Sequence, residues 1–143
     1  ASDVYKRQCV SYPHITEKRA RQAVQAGFIV NPVAGLGGPA ALKGSDGDAA
    51  ARALAAGWAP QAAARAAAAV AGLSGIEWLT ASGVMGADVL AAAGQPHRVV
   101  WAADGATTGE STAAAAQAMV AAGADLIVFA GGDGTARDLL GAG

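Results

Sequence analysis

The sequence predicts an α/β domain in which a parallel sheet of about four strands is covered by helices on both faces. Short apolar runs alternate with longer, alanine-rich segments from Gly27 to the end of the chain. Glycine, proline or a capping residue stands at most of the boundaries, as is typical of alternating strands and helices. The chain has 143 residues, which is enough for one such domain with a buried core.

The apolar runs are the predicted strands, and each is bounded by turn-forming residues. The first begins after Gly27 and ends before Asn31-Pro32, because Pro32 removes a backbone donor. The last is continuously apolar after Asp125, which is typical of a strand buried on both faces. The predicted strands are Phe28–Val30, Ile76–Thr80, Arg98–Ala102 and Asp125–Ala130.

The segments between the strands carry helix start and stop signals. Ser82 is expected to cap a helix that Gly94 ends. Thr107 and Glu110 have the spacing of a capping box ahead of a further helix. The predicted helices are Asp48–Gly57, Pro60–Leu73, the segment from the Ser82 cap to Ala93, Ser111–Ala122 and Thr135–Leu140.

The first 26 residues are predicted to lie outside this domain. Residues 1–8 resemble the translation of a sequencing-library adapter, so we exclude them from the fold. Residues 14–26 are polar and are expected to form at most a short helix in a leader or linker. The lack of an initiator Met, and the closeness of the last motif to Gly143, lead us to expect a fragment of a longer protein. The expected domain therefore covers residues 27–143.

The composition of the chain bears on its binding partners and on its location in the cell. The net charge of −1 gives no electrostatic argument for binding nucleic acid or an anionic membrane. No apolar run reaches the roughly 18–20 residues of a transmembrane helix without a glycine or a charge. Cys9 is the only cysteine, so a disulfide within the chain is excluded and a cytoplasmic location is expected.

The motif Gly131-Gly132-Asp133-Gly134-Thr135 follows the fourth strand and precedes the last predicted helix. Glycines allow the backbone to approach a phosphate closely, and the N–H groups at a helix start favour anions. A carboxylate there, Asp133, would accept a proton from an attacking hydroxyl, or would orient that hydroxyl or a phosphate-bound divalent ion. The alternative is a tight turn, because Asp-Gly is common in turns. The flanking strand and helix favour a phosphate-binding loop.

A second glycine-rich loop, residues 31–38 (NPVAGLGG), follows the first strand. In it, Asn31 offers a side-chain amide at the carboxyl end of that strand. Ligands of open parallel sheets bind where the carboxyl ends of the strands meet at the switch in strand order. If the first and fourth strands are neighbours, the two loops border one crevice. The alternative is an ordinary glycine-rich connection.

Together, the Asn-Pro-x-Ala-Gly-x-Gly-Gly and Gly-Gly-Asp-Gly-Thr loops resemble those of NAD kinases, diacylglycerol and sphingosine kinases and 6-phosphofructokinase. Three further segments, Leu42–Gly47, Met85-Gly86 and Phe129–Asp138, are similar to the ATP-NAD kinase family that includes the acetoin-catabolism (AcoX-type) branch. The resemblance spans Gly27 to the end of the chain. It implies a Rossmann-like, phosphofructokinase-type N-terminal domain, without the C-terminal β-rich domain of such kinases.

The resemblance also implies an activity. The γ-phosphoryl group of ATP, or the end of a polyphosphate, would pass to the adenosine ribose 2′-hydroxyl of NAD to give NADP, with Mg²⁺ or another divalent cation. Asp133 would be the catalytic residue. The matching nucleotide-binding positions are Asn31, Gly35, Gly37, Gly38, Gly131, Gly132, Gly134 and Thr135. The full-length protein is expected to be a homo-oligomer, and the fragment is expected to be inactive alone.

Two basic residues are weaker candidates for phosphate contacts. Lys43 has the alternative of a solvated loop lysine, and Arg137 that of an exposed helix residue. The spacing of His, Cys, Asp and Glu indicates no metal site built from protein ligands. Two other functions stay open: a lipid or other small-molecule kinase of the same superfamily, and a nucleotide-binding regulatory module without catalysis.

Overall fold

The computed structural model describes residues 23–34, 51–52, 55–57, 60–104 and 107–142. Of the predicted helix Asp48–Gly57, the described residues 51, 52 and 55 are helical. A short 3₁₀ turn, Gly83–Met85, follows the second strand. The remaining elements, in chain order, are β1 Val24–Val30, α1 Ala62–Val70, β2 Ile76–Ala81, α2 Ala87–Ala92, β3 His97–Trp101, α3 Gly109–Ala121, β4 Leu126–Ala130 and α4 Asp133–Leu140.

The strands form one parallel sheet in the order β3-β2-β1-β4. β1 therefore has two neighbours: Phe28 is in register with Thr80 of β2 on one side and with Val128 of β4 on the other. The predicted α/β class, with a parallel sheet of four strands, is confirmed. β1 and β4 are neighbours in the sheet. This is the arrangement that the two glycine-rich loops need in order to border one crevice.

One face of the sheet packs against α1 and α2. Alternate residues of β1 point to this face, as the period of a strand requires. The Phe28 and Trp78 rings meet edge to face here, with centroids 5.6 Å apart and an interplanar angle of 69°. The buried residues of this cluster are Ala26, Phe28, Val30, Ala66, Val70, Trp78, Val89 and Leu90.

The opposite face packs against α3 and α4, so the prediction of helices on both faces is confirmed. Gly27 lies on this face of β1, and a Cβ there would overlap the Ile127 side chain and come within 2.9 Å of the Met119 sulfur. Its lack of a side chain therefore lets α3 approach the central strand closely. The buried residues of the second cluster are Ile29, Leu79, Ala81, Met85, Ala115, Ala116 and Met119.

β1 begins at Val24, four residues earlier than the predicted Phe28, so part of the predicted leader belongs to the domain. The polar Gln25 is a strand residue because its partners lie on neighbouring elements. Its side-chain amide donates to a Glu77 carboxylate oxygen at 3.0 Å. Its backbone N–H donates to the Asp125 carboxylate at 3.1 Å, and its carbonyl accepts from the Asp125 N–H at 2.7 Å. The helix expected over residues 14–26 is therefore wrong for Val24–Ala26, while residues 14–22 lie outside the described part.

Several predicted helix starts are displaced. Ser82 makes no side-chain cap, and a 3₁₀ turn separates it from α2. Its hydroxyl instead accepts from the Ala103 N–H at 3.2 Å, a contact with the chain after β3. The capping box of α3 is formed by Thr108 and Ser111, one residue later than the predicted Thr107–Glu110 pair. α1, predicted over Pro60–Leu73, is shorter at both ends.

β4 is less buried than its continuous apolar sequence predicts. It lies at an edge of the sheet, with Leu126 46% and Phe129 40% exposed. A strand at the edge lacks the neighbour that would cover these side chains. In the ranges that the structure describes, no helix has the length and apolarity to cross a bilayer.

We predict that Gly86→Ala destabilises the domain by about 1–3 kcal/mol, because the methyl group must be forced into a packed site. A Cβ at Gly86 would overlap the Thr80 hydroxyl oxygen and lie 2.9 Å from the Phe28 carbonyl oxygen. That hydroxyl already donates to the Phe28 carbonyl at 2.8 Å. Equilibrium unfolding in urea would measure the change.

Gly72→Ala is the matched control. A Cβ at Gly72 would have no atom within 4 Å, and its φ is not positive. We expect its free energy of unfolding to stay within about 0.5 kcal/mol of the wild type. Equal midpoints for the two variants would contradict the close packing of the 3₁₀ turn on β2.

Candidate functional site

The switch in strand order lies between β1 and β4, where the chain leaves both strands at the same edge of the sheet. β2 and β3 lie on one side of β1, and β4 lies on the other. The Asn31 N–H donates to the Ala130 carbonyl at 2.8 Å, so the pairing continues to the last residues of both strands. Ligands of open parallel sheets bind at such a position, because the crossover helices diverge to opposite faces there.

Asn31 connects the two loops that follow these strands. Its side-chain carbonyl accepts from the Val33 N–H at 3.1 Å, and its backbone carbonyl accepts from the Ala34 N–H at 3.1 Å. Its side-chain NH₂ donates to the Thr135 hydroxyl oxygen at 3.1 Å. The described start of the first glycine-rich loop, residues 31–34, thus contacts the first turn of α4 directly. The rest of that loop, with Gly35, Gly37 and Gly38, and also Lys43, lies outside the described residues.

Packing explains Gly131 and Thr135. Thr135 is only 3% exposed. A Cβ at Gly131 would overlap the Thr135 hydroxyl and lie 2.6 Å from its Cβ. Gly131 is therefore needed so that the strand can turn into α4 over the buried threonine side chain.

Packing does not explain Gly132 and Gly134. A Cβ at either position would have no atom within 4 Å, and neither residue has a positive φ. Gly132 precedes α4 with φ −95° and ψ −168°, and it makes no side-chain cap. Gly134 lies inside the first turn, where glycine is about 1 kcal/mol less favourable than alanine. Glycine is an acceptable N-cap residue at Gly132, but packing requires neither glycine, whereas a ligand close to the backbone would favour both.

Asp133 is the first residue of α4 and is exposed. A carboxylate in the first turn interacts favourably with the helix dipole whether or not it has a chemical role. The predicted start of this helix at Thr135 is two residues late, and the correction places Asp133 in the first turn. The N–H groups of that turn have no intrahelical acceptor, and no side chain of the described residues caps them. The loop thus combines free donors with one carboxylate.

Arg137 is exposed and lies in the last turn of α4. It lines a shallow groove between α3 and α4, together with Thr108 and Gly109 at the start of α3. α3 begins at the same edge of the sheet as the two loops, because it follows the carboxyl end of β3. The predicted phosphate contact through Arg137 stays a prediction.

Asp138 also borders this groove, and the sequence did not single it out as a site residue. Its carboxylate atoms lie 2.8–2.9 Å from where a Cβ of Gly109 would be. The absence of a side chain at Gly109 therefore lets α4 pack against the start of α3. Asp138 is the last residue of the Phe129–Asp138 segment noted in the sequence. Its contact with Gly109 was not predicted, because Gly109 lies 29 positions earlier in the chain.

The described part of the chain assembles no group of three or more His, Cys, Asp and Glu side chains that could hold a metal ion. At the loop between β4 and α4, the carboxylate available to a divalent ion is that of Asp133. This donor set fits an ion that is carried mainly by the oxygens of a bound phosphate.

A comparison with protein families supports the resemblance inferred from the loops. The model of the ATP-NAD kinase N-terminal domain matches residues 26–142. This range covers all four strands almost completely, together with both loops at the switch point. No curated protein and no solved structure matches the chain.

We predict opposite effects of alanine at Gly131 and Gly134 on stability. Gly131→Ala should destabilise the domain by about 1–3 kcal/mol, because the methyl group collides with Thr135. Gly134→Ala should stabilise it by roughly 0.5–1 kcal/mol, because alanine favours helix and space is available. Thermal unfolding of the two variants measures both signs. A large destabilisation by Gly134→Ala would show that the fold itself requires this glycine.

Proposed function

The chain belongs to the ATP-NAD kinase N-terminal domain family, and on that premise we propose that it forms the phosphate-binding half of an NAD kinase active site. The reaction would transfer the γ-phosphoryl group of ATP, or the end of a polyphosphate, to the adenosine ribose 2′-hydroxyl of NAD. The observation that carries the proposal is the pair of glycines on either side of Asp133. Packing against the described residues does not require them, and the lack of side chains would let a phosphate approach the backbone there.

The phosphates would bind at the start of α4. No side chain in the described part of the chain caps the N–H groups of its first turn, and the helix dipole adds a partial positive charge there. Gly132 and Gly134 would allow phosphate oxygens to approach these donors. Gly131 and the glycines at 35, 37 and 38 would complete the nucleotide-binding backbone, and Lys43 and Arg137 would add positive charge. Asn31 and Thr135 belong to the same two loops and join them through their side chains.

Asp133 would act on the acceptor. The 2′-hydroxyl oxygen of NAD would attack the γ-phosphorus, and the bond to the β–γ bridging oxygen would break, releasing ADP. The proton of the hydroxyl would pass to the Asp133 carboxylate and then to solvent. The exposure of Asp133 fits this role, because a general base must reach the proton that it removes. A divalent ion on the phosphates would supply charge neutralisation.

We further propose that residues 27–143, with the first residues of β1 added, act as the N-terminal domain of a larger enzyme. A C-terminal β-rich domain would complete the NAD site and the contacts of a homo-oligomer. Turnover would then require the complete gene product, which we expect to act in the cytoplasm.

Asp133→Ala tests the catalytic role. In the complete gene product we expect a loss of about 10²–10⁴ in kcat, which is the usual contribution of a general base. NADP formation measured with saturating ATP and NAD gives the rate. Asp88→Asn is the control, because Asp88 is also an exposed carboxylate in the first turn of a helix, α2. Wild-type turnover by Asp133→Ala would remove the catalytic assignment.

The acceptor is tested by following the label of [γ-³²P]ATP into product. We expect NAD to be labelled, because the family is that of ATP-NAD kinases. Diacylglycerol and sphingosine serve as competing acceptors, and polyphosphate as a competing donor. Labelled lipid without labelled NADP would assign the same loops to a lipid kinase. Tight binding of ATP and NAD with no product would indicate a regulatory module.

A further inference from the structure

From the contact between the two loops, we infer that Asn31 and Thr135 are positioning residues that hold Asp133 in place and do not themselves bind nucleotide. The hydrogen bond from the Asn31 side-chain NH₂ to the Thr135 hydroxyl spans 104 positions of sequence. It joins the end of β1 to the first turn of α4, which carries Asp133. This inference rests on the proposed catalytic role of Asp133.

The Asn31 amide is already engaged within the protein. Its oxygen accepts from the Val33 N–H, and its nitrogen donates to Thr135, both at 3.1 Å. One N–H of the NH₂ group is left over, but these two bonds fix the plane of the amide and so the direction in which that N–H can point. The amide is thus better suited to fixing the geometry of the two loops than to contacting a ligand.

Thr135 is suited to the same role by its burial. It is 3% exposed, and its side chain packs against the Gly131 backbone. Buried polar atoms are costly to leave without a partner, so the Thr135 hydroxyl holds its position relative to Asn31. The backbone of the first turn of α4 is anchored through this side chain.

Asp133 depends on that anchor because its own surroundings restrain it little. Gly132 and Gly134 on either side have no side chains to pack, and a Cβ at either position would meet no atom of the described residues within 4 Å. Among the described residues, no hydrogen bond holds the Asp133 carboxylate itself. The nearest fixed point along the chain is Thr135, two residues later.

Thr135→Val removes the hydroxyl while keeping the shape of the side chain, and Asn31→Ala removes the partner. In the complete gene product we expect each to lower kcat by about 10–100-fold, because a small displacement of a reacting group is costly in rate. We expect the KM for ATP and for NAD to stay within about twofold, since neither side chain contacts substrate. Thr135→Ser should restore kcat to within about threefold of the wild type, because it keeps the hydroxyl.

The double variant, Asn31→Ala with Thr135→Val, should be no slower than the slower single variant, because both remove the same bond. Neither change should lower kcat further in an Asp133→Asn background. Thr112→Val is the control: Thr112 is also a buried helical threonine, but its hydroxyl donates to the Thr108 carbonyl of its own helix. It should retain wild-type kinetics.

Hydrogen exchange gives a readout that does not depend on activity. In Thr135→Val, the peptide that covers residues 131–138 should exchange its amides at least about threefold faster, since the first turn of α4 loses its anchor. A raised KM with unchanged kcat would overturn the inference and assign both side chains to direct nucleotide contact. A double variant whose loss in kcat equals the product of the two single losses would overturn the inference as well.

The failure of the proposed function would look different. If Asp133→Asn itself keeps the wild-type rate, then the catalytic assignment fails, whatever Thr135→Val does. The bond between the loops would then be judged by hydrogen exchange alone. Unchanged exchange in both Thr135→Val and Asn31→Ala would show that the bond does not hold the start of α4.

Discussion

The pairing of β1 with β4 is the constraint on which the rest of this structure depends. β1 carries β2 on one flank and β4 on the other, so the chain must pass from one face of the sheet to the other between β3 and β4. α1 and α2 therefore cover one face, and α3 and α4 cover the opposite face. At the carboxyl ends of β1 and β4 the crossover helices diverge to opposite faces, which is where ligands of open parallel sheets bind.

Residues of β1 adapt it to this central position. Phe28 and Val30 pack on one face, and Ile29 packs on the other, and all three are essentially excluded from solvent. Gly27 allows α3 to lie directly against the strand. Because β1 is fixed on both faces and both edges, Asn31 at its end is a rigid reference point. The hydrogen bond from Asn31 to Thr135 transmits that rigidity to the start of α4.

The sequence predicts the parts of this architecture that depend on local patterns. The alternation of apolar and alanine-rich segments yields the parallel sheet, and the Gly-Gly-Asp-Gly-Thr motif yields the strand, loop and helix around it. The starts of α3 and α4 are local errors of one and two residues, and two further errors occur where the deciding partner is distant in sequence. Gln25 is a strand residue because of Glu77, and Ser82 fails to cap α2 because its hydroxyl binds the Ala103 N–H. Such partners have no signature in the neighbouring sequence.

α3 and α4, which pack on the same face of the sheet, begin differently. The start of α3 is built for stability, whereas the start of α4 is not. α3 begins with a complete capping box, in which the Thr108 hydroxyl accepts from the Ser111 N–H and the Ser111 hydroxyl accepts from the Thr108 N–H. α4 begins with Gly132 and no side-chain cap, and Gly134 weakens its first turn further. The same chain can evidently build a well-capped helix start. At α4 no side chain of residues 23–34, 60–104 or 107–142 caps the first-turn donors, which disfavours the free helix and favours any anion that binds there. A start of this kind is explained if the missing cap is supplied by a phosphate of the substrate.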